Sequence, residues 1–457
     1  WVVSAIKDDK KDNIPDSIEK FIPASVKNFL LENIFYKKKL YEAIEDKRKR
    51  LAIKGAELTV ESKIVDKLLH SWYEDGLDNL KFEKISENQI LSKNKKSYKL
   101  IKFKTDYLSG NTWPHTKATA YLEKYQNYIF LVSKDGVFSY FQIDELKKEN
   151  FKTKIVPHNI KDLINYDDWW SKPGGKGIKD ILIDDGKIYV SISNMQKNNC
   201  WHTSILVASI QINKLNFEKF FDPPTCVEVR KGYNRFSHNA GGGRIIKFDD
   251  ENLLFSHGGF KTRVKSQDDI TVFGKIISIN KSSKDWSIVS KGHRNVQGLF
   301  YDPDANLVIN TEHGPMGGDE ININDLSINN DKNFGWPISS YGVHYGGLEK
   351  NKLNYQEAPL NKSHSEFGFI EPVKFFVPSI GISEVKKIPS NFDKDFVNDY
   401  FIGALGFDLE EGDKSIHHIR LDPSNNDLVY YDIIGIDERI RDILYLDETN
   451  KVLLFLE

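Results

Sequence analysis

Beyond about residue 100, short apolar or β-branched runs alternate with polar positions and come in pairs, each pair broken by Asp, Asn or Gly. That is the pattern of antiparallel strands joined by tight turns. One unit returns throughout: a loop, about five strand residues, an acidic or amide turn, about five more strand residues and another loop. It occupies Ala118 to Ser133, Gly177 to Ser193, Gly242 to Gly258, Val296 to Gly314, Gly381 to Gly406 and Arg439 to Glu457, six copies in all. Six such units suit the blades of a propeller, in which the incoming and outgoing loops of every hairpin share one face. A long β-sandwich shows similar alternation, but not the regular return of one unit. The spacing is uneven only across Asp325 to Pro378, which reads as an insertion.

The first hundred residues follow another period. Phe29, Leu30, Ile34, Leu40, Tyr41, Ile44 and Leu51 recur at spacings near three and four with lysines and arginines between them, which predicts a basic amphipathic helix or two. A second helix is expected over Val60 to Tyr73. Such a helix either docks on an anionic membrane surface or a partner, or packs its apolar face on the protein and solvates its lysines. The expected fold is therefore mainly β: a six-bladed β-propeller over residues 101–457 with an α-helical N-terminal region over residues 1–100.

Composition narrows the function classes. The 457 residues are 39% hydrophobic and carry a formal net charge of −2, enough for a core and too little basic charge for a nucleic-acid partner. No run reaches the roughly 18 apolar residues of a membrane-spanning helix. The sequence opens on Trp1, Val2 and Val3 rather than methionine, which fits a removed signal peptide or the end of a membrane anchor upstream. That expectation places the protein in a periplasmic or extracellular setting. Cys200 and Cys226 are the only cysteines, with strands expected at Thr203 to Ile210 and Phe217 to Phe221 between them. They read either as a disulfide in an oxidising compartment or as two buried thiols.

Candidate chemistry gathers around the fourth unit. Leu299 to Tyr301 and Leu307 to Thr311 are its strands, turned by Asp302, Pro303, Asp304 and Asn306. His293, Arg294, Asn295 and Gln297 enter it, and Glu312, His313, Gly314, Pro315, Asp319 and Glu320 leave it, so one rim collects a guanidinium, amides, imidazoles and carboxylates. Gly314, Gly317 and Gly318 let the backbone approach a ligand or turn carbonyls toward a cation. Trp113, His115, Gly174 to Lys176, His238 to Gly242, Gly403 to Asp408, Arg439 and Arg441 belong to the same set of loops. His238, in RFSHNAGGGR, reads as a general base on the rim or as a loop histidine bonded to backbone. Arg439 and Arg441 lie two apart on one strand face, where they repel unless an anion lies between them. Asp319 and Glu320 are candidates to pair with them or to bind a cation.

The segments GHRNVQGL, TEHGPMGGDEIN and NFGWPISSYG resemble the signature of the soluble quinoprotein glucose and aldose sugar dehydrogenases. Those enzymes are six-bladed propellers that use pyrroloquinoline quinone and calcium, and the resemblance covers roughly residues 110–457. It implies that His238 takes the proton from a sugar hydroxyl while hydride passes to the quinone. It implies that Arg294 and Asn295 contact the cofactor and its reactive carbonyl, with Gln297 and His313 beside them. Main-chain carbonyls of Gly314 and Pro315 would hold the calcium, and Arg439 with Arg441 would bind cofactor carboxylates. Partners would be a small-molecule sugar and an electron acceptor. The chain departs from the family at Gly175, where many members have glutamine, at Gly406, where they have lysine, and at Val296, where they have proline. These departures motivate an alternative: a non-catalytic propeller that serves as a binding or assembly module at a membrane or cell surface, its N-terminal helices making the contacts. A propeller lactonase is a third reading, but no cluster of carboxylates and amides for its calcium stands out.

Overall fold

The structure, a computed structural model, describes residues 79–105, 119–164, 177–196, 200–229, 237–344, 356–406, 408–409 and 412–457. Each of the six expected hairpins is present, and each supplies the two inner strands of one blade. Blade one begins with Ala120–Tyr125 and Tyr128–Ser133, blade two with Gly177–Asp184 and Lys187–Gln196, and blade three with Gly242–Lys247 and Asn252–His257. Val296–Asp302 and Leu307–Glu312 open blade four, Ile382–Ile388 and Asp399–Ala404 blade five, and Ile440–Leu446 and Lys451–Leu456 blade six. Blades one to five each add two outer antiparallel strands, and blade two a further short one, Val227–Glu228.

The first strands of successive blades lie side by side in a closed ring, with blade six returning to blade one. Alternation explains the packing: one set of side chains on each strand faces the preceding blade and the other faces the following one. Six apolar clusters result, one in each gap. Phe130, Phe138, Ile178 and Val190 fill the gap between blades one and two, and Leu444, Leu446, Leu122 and Leu131 fill that between six and one.

Five of the six innermost strands slip register close to their first residue. The breaks fall between Ile178 and Asp180, Gly242 and Ile245, Val296 and Gly298, Ile382 and Val385, and Ile440 and Asp442. A bulge re-aims the side chains at the irregularity. Here the bulged stretches carry Lys179, Arg244, Gln297, Glu384 and Arg441. Arg244 is 4% exposed and meets Asp180 at 2.9 Å, Glu384 at 2.6 Å and Asp442 at 3.1 Å. Its other donors reach the main-chain oxygens of Gln297 and Arg441, and its guanidinium lies 5.3 Å from the Tyr121 ring centroid. All six blades thus meet in one buried ion cluster.

The stretch read as helical is β from Lys81 onward. Lys81–Leu91 pairs with Ser97–Lys104 and with Asn150–Lys152, an outer strand near blade one. Phe82 and Phe103 pack on the cluster between blades six and one, and Ile90, Tyr98 and Leu100 on that between five and six. The helices expected over residues 29–51 and 60–73 lie outside the described residues. Blade four holds the expected insertion, between Asp319–Asp325 and Lys374–Phe376. Cys200 and Cys226 form a disulfide, with Cα atoms 5.4 Å apart. It fastens the first residue of Cys200–Ser209 to the short strand Val227–Glu228 that pairs with it.

Candidate active site

His238 opens a single 3-10 turn, His238–Ala240, just before blade three. Its ring stands against Trp201, with centroids 4.3 Å apart and planes at 83°. Trp201 is 4% exposed and sits one residue from the disulfide, so the cross-link fixes the wall behind the imidazole. Asn295 ties this loop to blade four: its Nδ2 donates to the Asn239 carbonyl at 3.0 Å, and its Oδ1 accepts from the Gly242 amide at 3.1 Å. The Asn295 amide expected to meet a cofactor therefore holds the His238 and Arg294 loops together. Gly242 has φ +61, and a Cβ there would come 2.6 Å from the Gly258 nitrogen, so the turn requires glycine.

The fourth hairpin builds the rim as expected. Glu312 is 3% exposed, accepts from the Arg294 amide at 2.6 Å and pairs with His293 at 3.0 Å. Burial alone raises the Glu312 pKa, but the His293 charge and hydrogen bond outweigh it and the carboxylate stays ionised. The Arg294 backbone is thereby fixed while its side chain remains half-buried, donating to the His313 carbonyl at 2.6 Å and lying 5.6 Å from the Trp336 ring centroid. His313 Nε2 is sealed from solvent with no hydrogen bond among the described residues, and burial lowers its pKa, with Arg294 and Arg441 adding to the effect against Asp319.

Gly314 to Gly318 fold back on themselves. A Cβ at Gly314 would fall 2.0 Å from the Gly318 carbonyl oxygen and 2.6 Å from that of Gly317. Asp319 holds the loop, accepting from the Gly314 amide at 3.1 Å through one oxygen and from the Gly381 and Ile382 amides at 2.8 and 3.0 Å through the other. Asp319 is thus committed to backbone, and Glu320 faces His364 at 3.4 Å rather than the arginines. No group of three His, Cys, Asp or Glu side chains suited to a metal occurs among the described residues. A calcium held at Gly314 and Pro315 would rest on main-chain oxygens, which this glycine-rich loop is able to present.

Arg439 and Arg441 do share a face, and the anion between them belongs to the chain. Glu457 accepts from Arg439 Nη2 at 2.9 Å and from Arg441 Nε at 2.6 Å, and Thr119 also donates to it. Burial opposes its charge, but the two guanidiniums outweigh burial and hold its pKa far below the carboxylate range. Arg441 also donates to Gln297 Oε1 at 3.1 Å, and Arg439 to the Leu405 carbonyl. Glu457 was absent from the sequence reading, although the hairpin alone places it across from Arg439 by pairing Ile440 with Leu456. Gly406 is backed by the Asp413 carboxylate, 2.0 Å from where a Cβ would stand, so a longer side chain there would have to displace that carboxylate. Trp113, His115 and Gly174 to Lys176 lie outside the described residues.

Sequence reasoning also passed over Lys179, in the blade-two bulge. Its stem lies across Gly243, where a Cβ would come 2.3 Å from Lys179 Cβ. Its ammonium approaches the His238 carbonyl at 3.4 Å. Burial depresses its pKa strongly, and Lys134 and Arg441 push the same way. His238, Arg294, His313, Lys179 and the Arg439–Arg441 pair therefore form one basic mouth over the central ion cluster. With its orphaned imidazole nitrogen, that mouth suits a planar, carboxylate-bearing ligand.

Residues 173–454 match the Glucose / Sorbosone dehydrogenase family. The chain is 30% identical over 274 residues to slr1608 of Synechocystis sp., covering 52% of this chain and 61% of that protein. It is 32% identical over 181 residues to the aldose sugar dehydrogenase YliI of Escherichia coli, covering 36% of this chain and 45% of the relative. The matched region thus spans less than two thirds of either relative. The crystal structure of the soluble aldose sugar dehydrogenase from Escherichia coli in its apo-form superposes with a TM-score of 0.56 at 20% identity, covering 73% of this chain and 91% of that one. That likeness shows the shared six-bladed propeller.

Proposed function

The chain belongs to the glucose/sorbosone dehydrogenase family, and from that premise we propose that it is a quinoprotein oxidising an aldose or a related hydroxyl-bearing small molecule. The observation that carries this reading is the Asn295 clamp, which holds the His238 turn beside the Arg294 loop and so brings a base and a cation to one mouth. Pyrroloquinoline quinone, when bound, supplies the two-electron acceptor, with calcium polarising its carbonyl. Arg294, His313 and the Arg439–Arg441 pair would hold the quinone, and carbonyls of Gly314 and Pro315 the calcium.

The chain's own part is positional and protonic. An imidazole nitrogen of His238 accepts the proton of the substrate hydroxyl, which makes loss of hydride from the adjoining carbon favourable. Trp201 fixes the ring plane, and the half-buried Arg294 guanidinium faces the negative charge that develops opposite the base. The disulfide fits maturation in an oxidising compartment, so we place the enzyme outside the cytoplasm.

The deciding experiment is a titration of the full chain with pyrroloquinoline quinone and calcium, read by quinone absorbance, followed by a panel of aldoses with an artificial electron acceptor. Calcium-dependent binding and bleaching by a sugar are expected. H238Q should bind the quinone and fail to turn over; a fully active H238Q would remove the base from the assignment.

A further inference from the structure

Two features of the mouth leave it short of cations for a ligand that carries several carboxylates. Arg439 and Arg441 already share Glu457, whose side chain is 0% exposed, so one of their two charges is met from within the chain. At Gly406 the Asp413 carboxylate closes the space that a long side chain would need. A cation for a further carboxylate has to come from elsewhere on the rim.

Lys179 has the geometry for it. It occupies the bulged start of the innermost strand in blade two, the position that Arg441 holds in blade six and Gln297 in blade four. Gly243, with φ +118 and no side chain, leaves the channel through which the lysine stem passes. The ammonium ends 3.4 Å from the His238 carbonyl, and Lys134, which is 8% exposed, and Arg441 are near enough to repel it. A cation at this place adds to the positive potential of the mouth, which favours an anionic ligand.

We infer that Lys179 binds a carboxylate at the mouth, beside His238. The inference rests on the quinoprotein reading and names a residue that reading does not supply. The carboxylate belongs either to the quinone or to an acidic sugar, and the chemistry at Lys179 is the same for both. Burial lowers the pKa of the ammonium and an anion beside it acts the other way, so occupancy should raise it.

The experiment compares wild type, K179M and K179R by quinone titration, by kcat/KM on a neutral aldose and on the matching uronic acid, and by thermal melting without ligand. If the carboxylate is the quinone's, K179M binds the quinone about tenfold or more weakly and K179R restores most of the loss, with the ligand-free melting temperature unchanged. Should it be the sugar's, quinone affinity is retained and the uronate-to-aldose ratio of kcat/KM falls about tenfold in K179M. Quinone affinity and substrate ratio both equal to wild type would overturn the inference, as would losses that simply track a lowered melting temperature. A wild-type chain that binds no quinone overturns the underlying reading and this inference with it; wild-type binding matched by K179M, with the ratio unmoved, overturns the inference alone.

Discussion

The imidazole of His238 stands edge-on to the indole of Trp201, ring centroids 4.3 Å apart, and the next residue back is disulfide-bonded Cys200. The base role proposed for His238 depends on that one aromatic wall. W201A should lower kcat by about 100-fold through misplacement of the ring. It should also cost about 3–5 kcal/mol of stability, because a buried indole is lost. W201F should recover much of both. Steady-state kinetics at saturating quinone, set beside urea unfolding, separates the two effects. Removing the cross-link with C200S and C226S should cost about 2–4 kcal/mol and loosen the same wall.

Gly314 has no room for a side chain, since a Cβ would lie 2.0 Å from the Gly318 carbonyl oxygen. In G314A that carbonyl must swing away, and the loop loses the arrangement offered to calcium. Wild type at a hundredfold excess of calcium over its Kd should gain about 2.7 kcal/mol of stability. The gain should vanish in G314A while the protein remains folded in chelator. A thermal melt with and without calcium measures it, and an equal shift in both proteins would move the metal elsewhere.

Glu457 is an internal counter-ion for the arginine pair. E457Q leaves two buried guanidiniums facing each other and should destabilise the ligand-free chain by on the order of 3 kcal/mol. The same change frees donors for an external carboxylate. The melting temperature of E457Q should therefore start lower and rise further than that of wild type when quinone is added. A smaller rise in E457Q would show that Glu457 helps to position the pair rather than competing for it.

The central cluster sets a pH dependence. Burial raises the Glu384 pKa to about 8 against the pull of Arg244, while the unfolded chain titrates at about 4.3. Native protein thus keeps a proton that unfolded protein releases, so stability falls as pH climbs between those values and then levels off. E384Q removes the share of that slope that Glu384 contributes, while Asp180, raised by burial to about 6, keeps its own. It should match wild type near pH 4 and exceed it at pH 7 by at least about 1 kcal/mol. R244M, which strands three carboxyls, should cost about 3–5 kcal/mol at pH 7. Urea unfolding across this range reads both.

The hairpins were legible because a strand packed on both faces against neighbouring blades reads as a short apolar run bounded by turn residues, as Tyr128–Ser133 and Asn252–His257 do. Lys81–Leu91 hid for the opposite reason: its inward positions hold Lys84 and Ser86 besides Phe82 and Ile90, so the apolar signal is thin. The rim of blade four could be read from residue types in one hairpin. The partnerships that define the site could not, because Asn295 with Asn239, Lys179 with His238 and Arg244 with Asp442 join separate blades. Register slips gave no warning either, since a bulge is one extra residue in an otherwise ordinary strand. Glu457 is the exception: strand pairing within Arg439 to Glu457 would have been enough to find it, had the partner of Arg439 been sought there.

Closure of the ring has a consequence for how the protein is made. The Leu122 amide donates to Asp442 Oδ2 at 2.7 Å, across 320 residues of sequence. Blade one emerges from the ribosome long before its partner and must wait with one apolar face uncovered. Arg439, Arg441 and Glu457 arrive in the same hairpin that seals the circle. A chain stalled before that hairpin has His238 and Arg294 but an open ring and an incomplete mouth. Synthesis of that hairpin and closure of the ring therefore become a single event, and a product cut short before it would be marked by exposed apolar surface.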